Sequence, residues 1–242
     1  MGMEKKRTFQ KGIRDGFPIA MGYLSVSFAF GMLAVQKGLP LWSPMLISLT
    51  NFTGTGQFAG IDLIAAGAAF FEIAVTLLII NLRYLLMSLS LSQRLAADMP
   101  LWQRLLVAFG NTDEIFAVSM QQNQLLNFSY LAGLILISFS GWNLGTFLGA
   151  FASSVLPASV RSALGIALYA MFIAIIVPPA KNSKPILYVA ALSVILSCLL
   201  RWLPVVRQLS GGWVIIVCGI AASAFGAKFY PFLELKEEQK DE

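Results

Sequence analysis

The sequence contains no histidine, only two cysteines and few charged residues. The lack of histidine excludes imidazole metal ligands and serine–histidine catalysis, and we predict no metal site, no cofactor and no enzyme activity. Cys198 and Cys218 lie within apolar runs without metal-ligand spacing, so we expect buried, reduced thiols. Charged residues form 12% of the 242 residues, against about 25% in soluble proteins. Such a chain has too little polar surface to be a soluble domain.

Apolar residues are correspondingly abundant, at 57% of the chain, and the mean hydropathy is +0.75. Long runs without charge, separated by polar breaks, are typical of membrane helices. We therefore predict an all-α, polytopic transmembrane helix bundle with seven or eight segments, at least one of them broken or re-entrant. The predicted segments are residues 16–36, 41–62, 65–91, 105–121, 128–150, 162–179, 185–203 and 211–229.

The charged residues concentrate at the two ends of the chain. We predict a basic cytoplasmic head over residues 1–15, a single transmembrane transport domain over 16–230 and a polar acidic tail over 231–242. The net charge of +5 fits the excess of lysine and arginine in cytoplasmic loops, and does not indicate nucleic-acid binding. This excess does not decide whether residues 41–62 cross the membrane or return to the same side.

Three polar side chains, Glu72, Thr76 and Arg83, share one face of the third predicted segment. Charges at membrane depth are costly and commonly line substrate or ion paths. We predict that Arg83 binds substrate and that Glu72 takes part in proton coupling or amine binding. The alternative is that Arg83 extends to the membrane interface while Glu72 lies near the other end.

The sequence Asn111-Thr112-Asp113-Glu114 borders a long run without charge, from Ile115 onward. Asn111 and Glu114 resemble a capping box after a helix that ends at Gly110. Capping leaves Asp113 without a role, so we predict that Asp113 or Glu114 receives the substrate amine or a coupling proton. Both interpretations can hold, because a helix broken inside the membrane also forms a binding site.

A third polar cluster covers residues 50–57, Thr-Asn-Phe-Thr-Gly-Thr-Gly-Gln. A helix break there would offer backbone N–H groups to an anion such as a carboxylate. The alternative is that these small residues allow close packing of helices. We predict a break and a substrate-binding role for Asn51, Thr53, Gly54, Thr55, Gly56 and Gln57.

Gly141, Gly145 and Gly149 recur every four residues in the fifth segment. Such a row makes a flat face and predicts helix packing, either within the chain or against a partner. Trp142 lies inside the same segment, and we predict packing for it as well. Leu39-Pro40 and Leu156-Pro157 each follow a glycine-containing helix. This similarity fits an internal repeat, but we interpret two shared residues as chance.

Four motifs in order resemble the AzlC family, the large subunits of bacterial branched-chain amino acid exporters. They are Gly12–Tyr23 (Gly-Ile-Arg-Asp-Gly-Phe-Pro-Ile-Ala-Met-Gly-Tyr), Gly-Thr-Gly-Gln-Phe at 54–58, Asn81-Leu82-Arg83-Tyr84 and Thr112-Asp113-Glu114. The resemblance extends to about residue 230. This chain has Thr55-Gly56 where the family usually has Ala-Ser, and Tyr84 where it often has histidine, which bears on substrate preference.

The resemblance implies a proton-driven exporter of valine, leucine and isoleucine, with methionine as a further candidate. It also implies a bacterial inner-membrane location and a small hydrophobic AzlD-type partner subunit. The motifs point to Gln57, Asn81, Arg83, Asp113 and Glu114, and Tyr84 completes the predicted substrate-binding set. The alternative function is a non-transporting scaffold or gating subunit, for which the glycine row is the supporting feature.

Overall fold

The computed structural model describes residues 2–157, 183–202 and 210–230, with isolated positions 159, 173, 177, 180 and 181. The predicted segment 162–179 therefore lies outside the described residues, apart from two positions. The described residues form helices and no β-strand, which confirms the predicted all-α bundle. The chain divides into two compact units, Met1–Met171 and Phe172–Glu242, each described here by itself.

Seven described helices belong to the first unit and two to the second. The first unit contains α1 (Gly2–Gln36), α2 (Trp42–Thr50), α3 (Gly54–Ala65), α4 (Phe70–Ser92), α5 (Leu101–Phe109), α6 (Asp113–Met120) and α7 (Phe128–Val155), and the second contains α8 (Lys184–Trp202) and α9 (Gly211–Phe229). Of these, α1, α4, α7, α8 and α9 are long and apolar enough to cross a membrane. Because α1 begins at Gly2, the residues predicted as a basic head form its first turns.

Helices α1 and α7 pack side by side over most of their lengths and run parallel. Gly12, near the start of α1, lies against Tyr130, whereas Phe28, near its end, lies against Gly149. A Cβ atom at Gly149 would collide with the carbonyl oxygen of Phe28, and one at Gly145 would collide with α1 as well. The glycine row is therefore covered by α1 of the same chain.

Helices α2 and α3 form a hairpin that begins and ends at the same end of α1. The connection from α1 to α2 covers only residues 37–41. Lys37 Nζ lies 3.1 Å from Asp62 Oδ1, in the last turn of α3, so α3 returns to the point where α2 started. Of the two topologies left open for residues 41–62, the structure has the re-entrant one. We call α2 and α3 the first hairpin and residues 51–55 its tip.

Helices α5 and α6 form a second hairpin, at the opposite end of the bundle. The backbone next to Leu95, before α5, bonds to Leu126, after α6: Ala96 N donates to Leu126 O at 2.9 Å, and Leu126 N donates to Arg94 O at 2.8 Å. The prediction that residues 105–121 cross the membrane is wrong. Helices of nine and eight residues extend only about 12–14 Å, far less than a bilayer core of about 30 Å. We call α5 and α6 the second hairpin and residues 110–114 its tip.

Each hairpin, together with the long helix before it, forms one half of an inverted repeat. Each follows a long helix, α1 or α4, and these two helices run in opposite directions. The sequences match at a spacing of 60 residues: Pro40-Leu41-Trp42 corresponds to Pro100-Leu101-Trp102, and Asn51 corresponds to Asn111. Both first arms, α2 and α5, have nine residues. Inverted repeats are common in secondary transporters. The similarity of Leu39-Pro40 to Leu156-Pro157 is not part of this repeat.

In the second unit, α8 and α9 pack against each other. The rings of Tyr188 and Tyr230 stack with centroids 6.0 Å apart, and no residue of α8 is buried among those described. The expectation of two buried thiols is wrong for Cys198, which is exposed like the other described residues of its face of α8, whereas Cys218 is buried in α9.

Candidate functional site

The tips of the two hairpins meet at Arg83, near the middle of α4. Arg83 Nη2 lies 3.0 Å from Asp113 Oδ2 of the second tip and donates to Thr55 Oγ1, in the first turn of α3, at 3.4 Å. The Arg83 and Asp113 side chains are 46% and 41% exposed, so the pair is within reach of a ligand. Arg83 is therefore held between the two hairpins, while Glu72 lies near the other end of α4, as the alternative interpretation expected.

Tyr84 lies beside this ion pair and touches both members. Its hydroxyl is 3.5 Å from Arg83 Nη2 and 3.5 Å from Asp113 Oδ2. The Arg83 guanidinium also stands 5.1 Å from the centroid of the Tyr84 ring, within cation–π range. The predicted binding residues Arg83, Tyr84, Thr55 and Asp113 are thus brought together.

The second acid of the motif, Glu114, contacts a different helix. Its Oε2 accepts a short hydrogen bond from the Tyr23 hydroxyl, in the middle of α1. The same hydroxyl lies 2.7 Å from Thr112 Oγ1. Of these two neighbouring carboxylates, Asp113 is therefore bound by α4 and Glu114 by α1.

Thr112 caps the second arm of this hairpin. Its side-chain oxygen accepts from Ile115 N at 3.4 Å. The predicted capping box of Asn111 and Glu114 is wrong, because Asn111 donates instead to Ser88 Oγ on α4 at 3.0 Å. Gly110 does end α5, as predicted.

The tip of the first hairpin is held by a buried network of neutral groups. Gln57 is 1% exposed, and its Oε1 accepts from Trp142 Nε1 at 3.2 Å and from Ser48 Oγ at 3.1 Å. Its Nε2 donates to the Asn51 carbonyl at the break, and Ser48 pairs with Thr146 of α7 at 2.9 Å. Gln57 therefore fixes the shape of the tip from behind.

Two glycines at the start of α3 allow close approach. A Cβ at Gly54 would lie 3.1 Å from the Trp142 ring, and Gly56 lies between Thr53 and Asn81. Within the part of the chain described, Thr53 Oγ1 and Asn81 Oδ1 are buried without a hydrogen-bond partner. Unpaired buried polar atoms are costly, and both oxygens lie against Gly56, where there is no room for a side chain.

Glu72 is not brought to this site. It lies in the first turn of α4 and is 7% exposed. Arg83 follows eleven positions later in the same helix, so the two residues are about 16 Å apart along the axis. Thr76, on the same face, is fully buried.

An aromatic cluster adjoins the charged groups. The ring of Tyr23 meets those of Trp142 and Phe52 edge to face, at 5.3 and 5.8 Å between centroids. Phe139 completes the cluster at 5.2 Å from Phe52. The charged site therefore has an apolar wall on its α1–α7 side.

Sequence reasoning missed four of these side chains as functional candidates. Tyr23 and Thr112 stand inside the quoted motifs and could have been found there. Ser48 and Thr146 are ordinary hydroxyls in apolar helices and carry no signal of their own. Trp142 was predicted to pack, and its indole N–H proves to be a buried donor to Gln57.

Comparison with known proteins identifies the family. The profile of the family described as AzlC protein matches residues 18–156. The chain belongs to the AzlC family. An AzlC-related protein of Escherichia coli strain K12, named inner membrane protein YgaZ, is 31% identical over 220 residues, with 88% of each chain covered.

Two further relatives are described only as uncharacterized membrane proteins. The one from Archaeoglobus fulgidus is 38% identical over 185 residues, which cover 74% of this chain and 80% of the relative. The one from Helicobacter pylori strain 26695 is 29% identical over 153 residues, 60% of this chain and 66% of the relative. No solved structure matches. AzlC membership makes this a membrane protein, and it is consistent with a component of a membrane transporter.

Proposed function

We propose that this chain is the large subunit of a proton-coupled secondary transporter that exports branched-chain amino acids across the bacterial inner membrane. The observation that carries the proposal is the exposed Arg83–Asp113 pair at the contact between two oppositely directed hairpins. The direction of transport, the substrates leucine, isoleucine and valine, with methionine as a further candidate, and the small AzlD-type partner subunit rest on the family resemblance.

The ion pair suits a zwitterion. An α-amino acid carries its carboxylate and its ammonium group on one carbon atom, so both can insert between two opposite protein charges. The carboxylate would bind Arg83 and the backbone N–H groups that begin α3, and the ammonium would bind Asp113. The site remains electrically balanced with and without its ligand.

The aliphatic part of the substrate would rest against the aromatic cluster around Phe52. An apolar wall distinguishes ligands that differ by one methylene group by only about 1–3 kcal/mol. Leucine, isoleucine and valine are therefore expected to compete with one another, with modest differences in affinity.

The inverted repeat supports transport by alternating access. Transporters built from such repeats place the substrate near the middle of the bilayer, where discontinuous helices meet. The first hairpin reaches Arg83 from one side and the second reaches it from the other. Movement of either hairpin would expose the pair to that side alone.

The distribution of basic residues supports a cytoplasmic N-terminus. Within residues 2–157, the end where α1 begins and α4 finishes carries Lys5, Lys6, Arg7, Lys11, Arg14, Arg94 and Arg104, whereas the opposite end carries Lys37. Cytoplasmic loops are the ones enriched in lysine and arginine. The second hairpin would then enter from the cytoplasm and the first from the opposite side.

The test is counterflow of labelled leucine in proteoliposomes, with and without the small subunit. We expect uptake into leucine-loaded vesicles that unlabelled isoleucine inhibits, and a loss of that uptake in Arg83→Ala and Asp113→Asn. Normal uptake in both variants would contradict the assignment of the site. The scaffold alternative loses its supporting feature, because α1 already covers the glycine row.

A further inference from the structure

We infer that the two adjacent acids have separate tasks: Asp113 binds the substrate together with Arg83, and Glu114 carries the coupling proton, positioned by Tyr23 of α1. This inference rests on the proposed function, which it refines by assigning the coupling residue. The contacts that carry it are the ion pair of Asp113 with α4 and the hydrogen bond of Glu114 to α1.

The separation follows from helix geometry. Asp113 and Glu114 are the first two residues of α6, and consecutive side chains of a helix point about 100° apart. One carboxylate therefore faces Arg83 and Tyr84, while the other faces Tyr23. A single acid could not make both sets of contacts.

Charge balance decides which acid takes the proton. Among the described residues, Arg83 is within ion-pair distance of Asp113, and no basic group is within that distance of Glu114. Protonation of Asp113 would leave the Arg83 guanidinium unpaired. Protonation of Glu114 leaves no cation behind, so Glu114 can change its charge at the lower electrostatic cost.

The groups that face Glu114 are few. Tyr23 faces it from α1, whereas Arg83 and Tyr84 of α4 contact the neighbouring acid, Asp113. Asp113 precedes it on its own helix. The one titratable side chain of α7, Tyr130, is bonded to Asp15 Oδ2 at 2.9 Å.

Tyr23 connects the proton site to the fold of the second hairpin. The ionised Glu114 carboxylate only accepts, so the single proton of the Tyr23 hydroxyl points to it, and the Tyr23 oxygen can then accept a hydrogen bond from the Thr112 hydroxyl. A protonated Glu114 can donate to Tyr23, whose proton then points to Thr112. Proton uptake thereby reverses a hydrogen-bond chain that ends on the cap of α6.

Infrared difference spectroscopy of the purified protein in lipid, between acid and alkaline pH, tests this assignment without any transport. We expect a carboxyl C=O band that disappears in Glu114→Gln, persists in Asp113→Asn and changes frequency in Tyr23→Phe, which removes one hydrogen bond. A band that persists in Glu114→Gln and is lost in Asp113→Asn would overturn the assignment, as would the absence of any titrating carboxyl band.

Transport adds a second readout, which separates this inference from the proposed function. Glu114→Gln should retain leucine counterflow within about twofold but lose accumulation driven by a pH gradient, whereas Asp113→Asn should lose both. Tyr23→Phe should retain counterflow and change the pH profile of driven transport, because it removes the hydroxyl that contacts Glu114. Loss of counterflow in Glu114→Gln, or normal driven accumulation in it, would overturn the inference. Absence of leucine counterflow in the parent would contradict the proposed function alone.

Discussion

The first and second hairpins have the same architecture, but different side chains surround their tips. At the first tip, Gln57, Ser48 and Trp142 form a buried network without any charge. At the second tip, Asp113 and Glu114 bring two carboxylates to helices α4 and α1. The chain thus repeats one arrangement, two short helices joined by a break, with buried neutral partners behind one tip and two carboxylates at the other.

This difference has a physical cause in the neighbours of each tip. The first tip lies against α7, where Thr146 and the indole of Trp142 satisfy its polar groups. The second tip lies against the middle of α4, which supplies Arg83 and Tyr84. A helix break whose polar groups bond to neutral partners can be buried. A break beside an arginine needs a carboxylate to balance the positive charge, and it stays exposed.

The largest expected effect is on transport, at the charged tip. Arg83→Ala or Asp113→Asn should lower leucine counterflow by about tenfold to a hundredfold, because each tenfold corresponds to about 1.4 kcal/mol of lost binding. The matched control is Lys37→Ala, which removes the ion pair with Asp62 outside both tips. Equal losses in Lys37→Ala would mean that ion pairs matter here only for folding.

A large effect on stability is expected where α1 and α7 touch. Gly149→Ala places a methyl group against the Phe28 carbonyl, and overpacking of this kind costs about 1–3 kcal/mol. Thermal unfolding in detergent should show a lower midpoint. Gly22→Ala in α1, where nothing lies within 4 Å of the added atom, serves as control. Equal midpoints for the two variants would show that the α1–α7 contact is looser than described.

A similar or smaller loss of stability is expected at the neutral tip. Gln57→Leu leaves the Asn51 carbonyl, the Ser48 hydroxyl and the Trp142 indole with fewer partners, at about 1–3 kcal/mol. The thermal midpoint should fall, whereas Arg83→Ala should leave it nearly unchanged. Thr55→Val, in the same tip but exposed, is the control. If Gln57→Leu abolished counterflow without lowering the midpoint, the Gln57 side chain would bind substrate itself instead of only supporting the tip.

The smallest expected effect concerns the cap of α6. Thr112→Val removes the acceptor for Ile115 N, and loss of a helix cap costs about 1 kcal/mol. Thr112→Ser retains the hydroxyl and should match the parent in thermal unfolding. A midpoint for Thr112→Val equal to that of Thr112→Ser would remove Thr112 from the account of the second tip.

Composition and polar breaks predicted the helical membrane fold, because lipid permits few other arrangements of backbone polar groups. The break within residues 50–57 was predictable because glycines, hydroxyls and amides are concentrated there. The re-entrant path of α5 and α6 was not predicted, since a hairpin and a crossing helix are equally apolar. Only contacts such as Leu95 with Leu126 distinguish them.

The candidate site was partly predictable. Arg83 and Asp113 could be selected because charges are rare at membrane depth, but nothing in the sequence indicates that they pair. The roles of Tyr23 and Trp142 depend on the packing of α1 against α7, which brings residues more than a hundred positions apart into one site. Pairings of that kind are set by tertiary structure and not by local pattern.

Binding of labelled leucine to the purified protein in lipid nanodiscs tests the central claim most directly. Saturable binding should be present in the parent, in Lys37→Ala and in Glu114→Gln, and should weaken at least about tenfold in Arg83→Ala and in Asp113→Asn, because each change removes one of the two charges that hold the zwitterion. Leucine binding in both of these variants as tight as in the parent would contradict the claim that the ion pair between the hairpins is the substrate site.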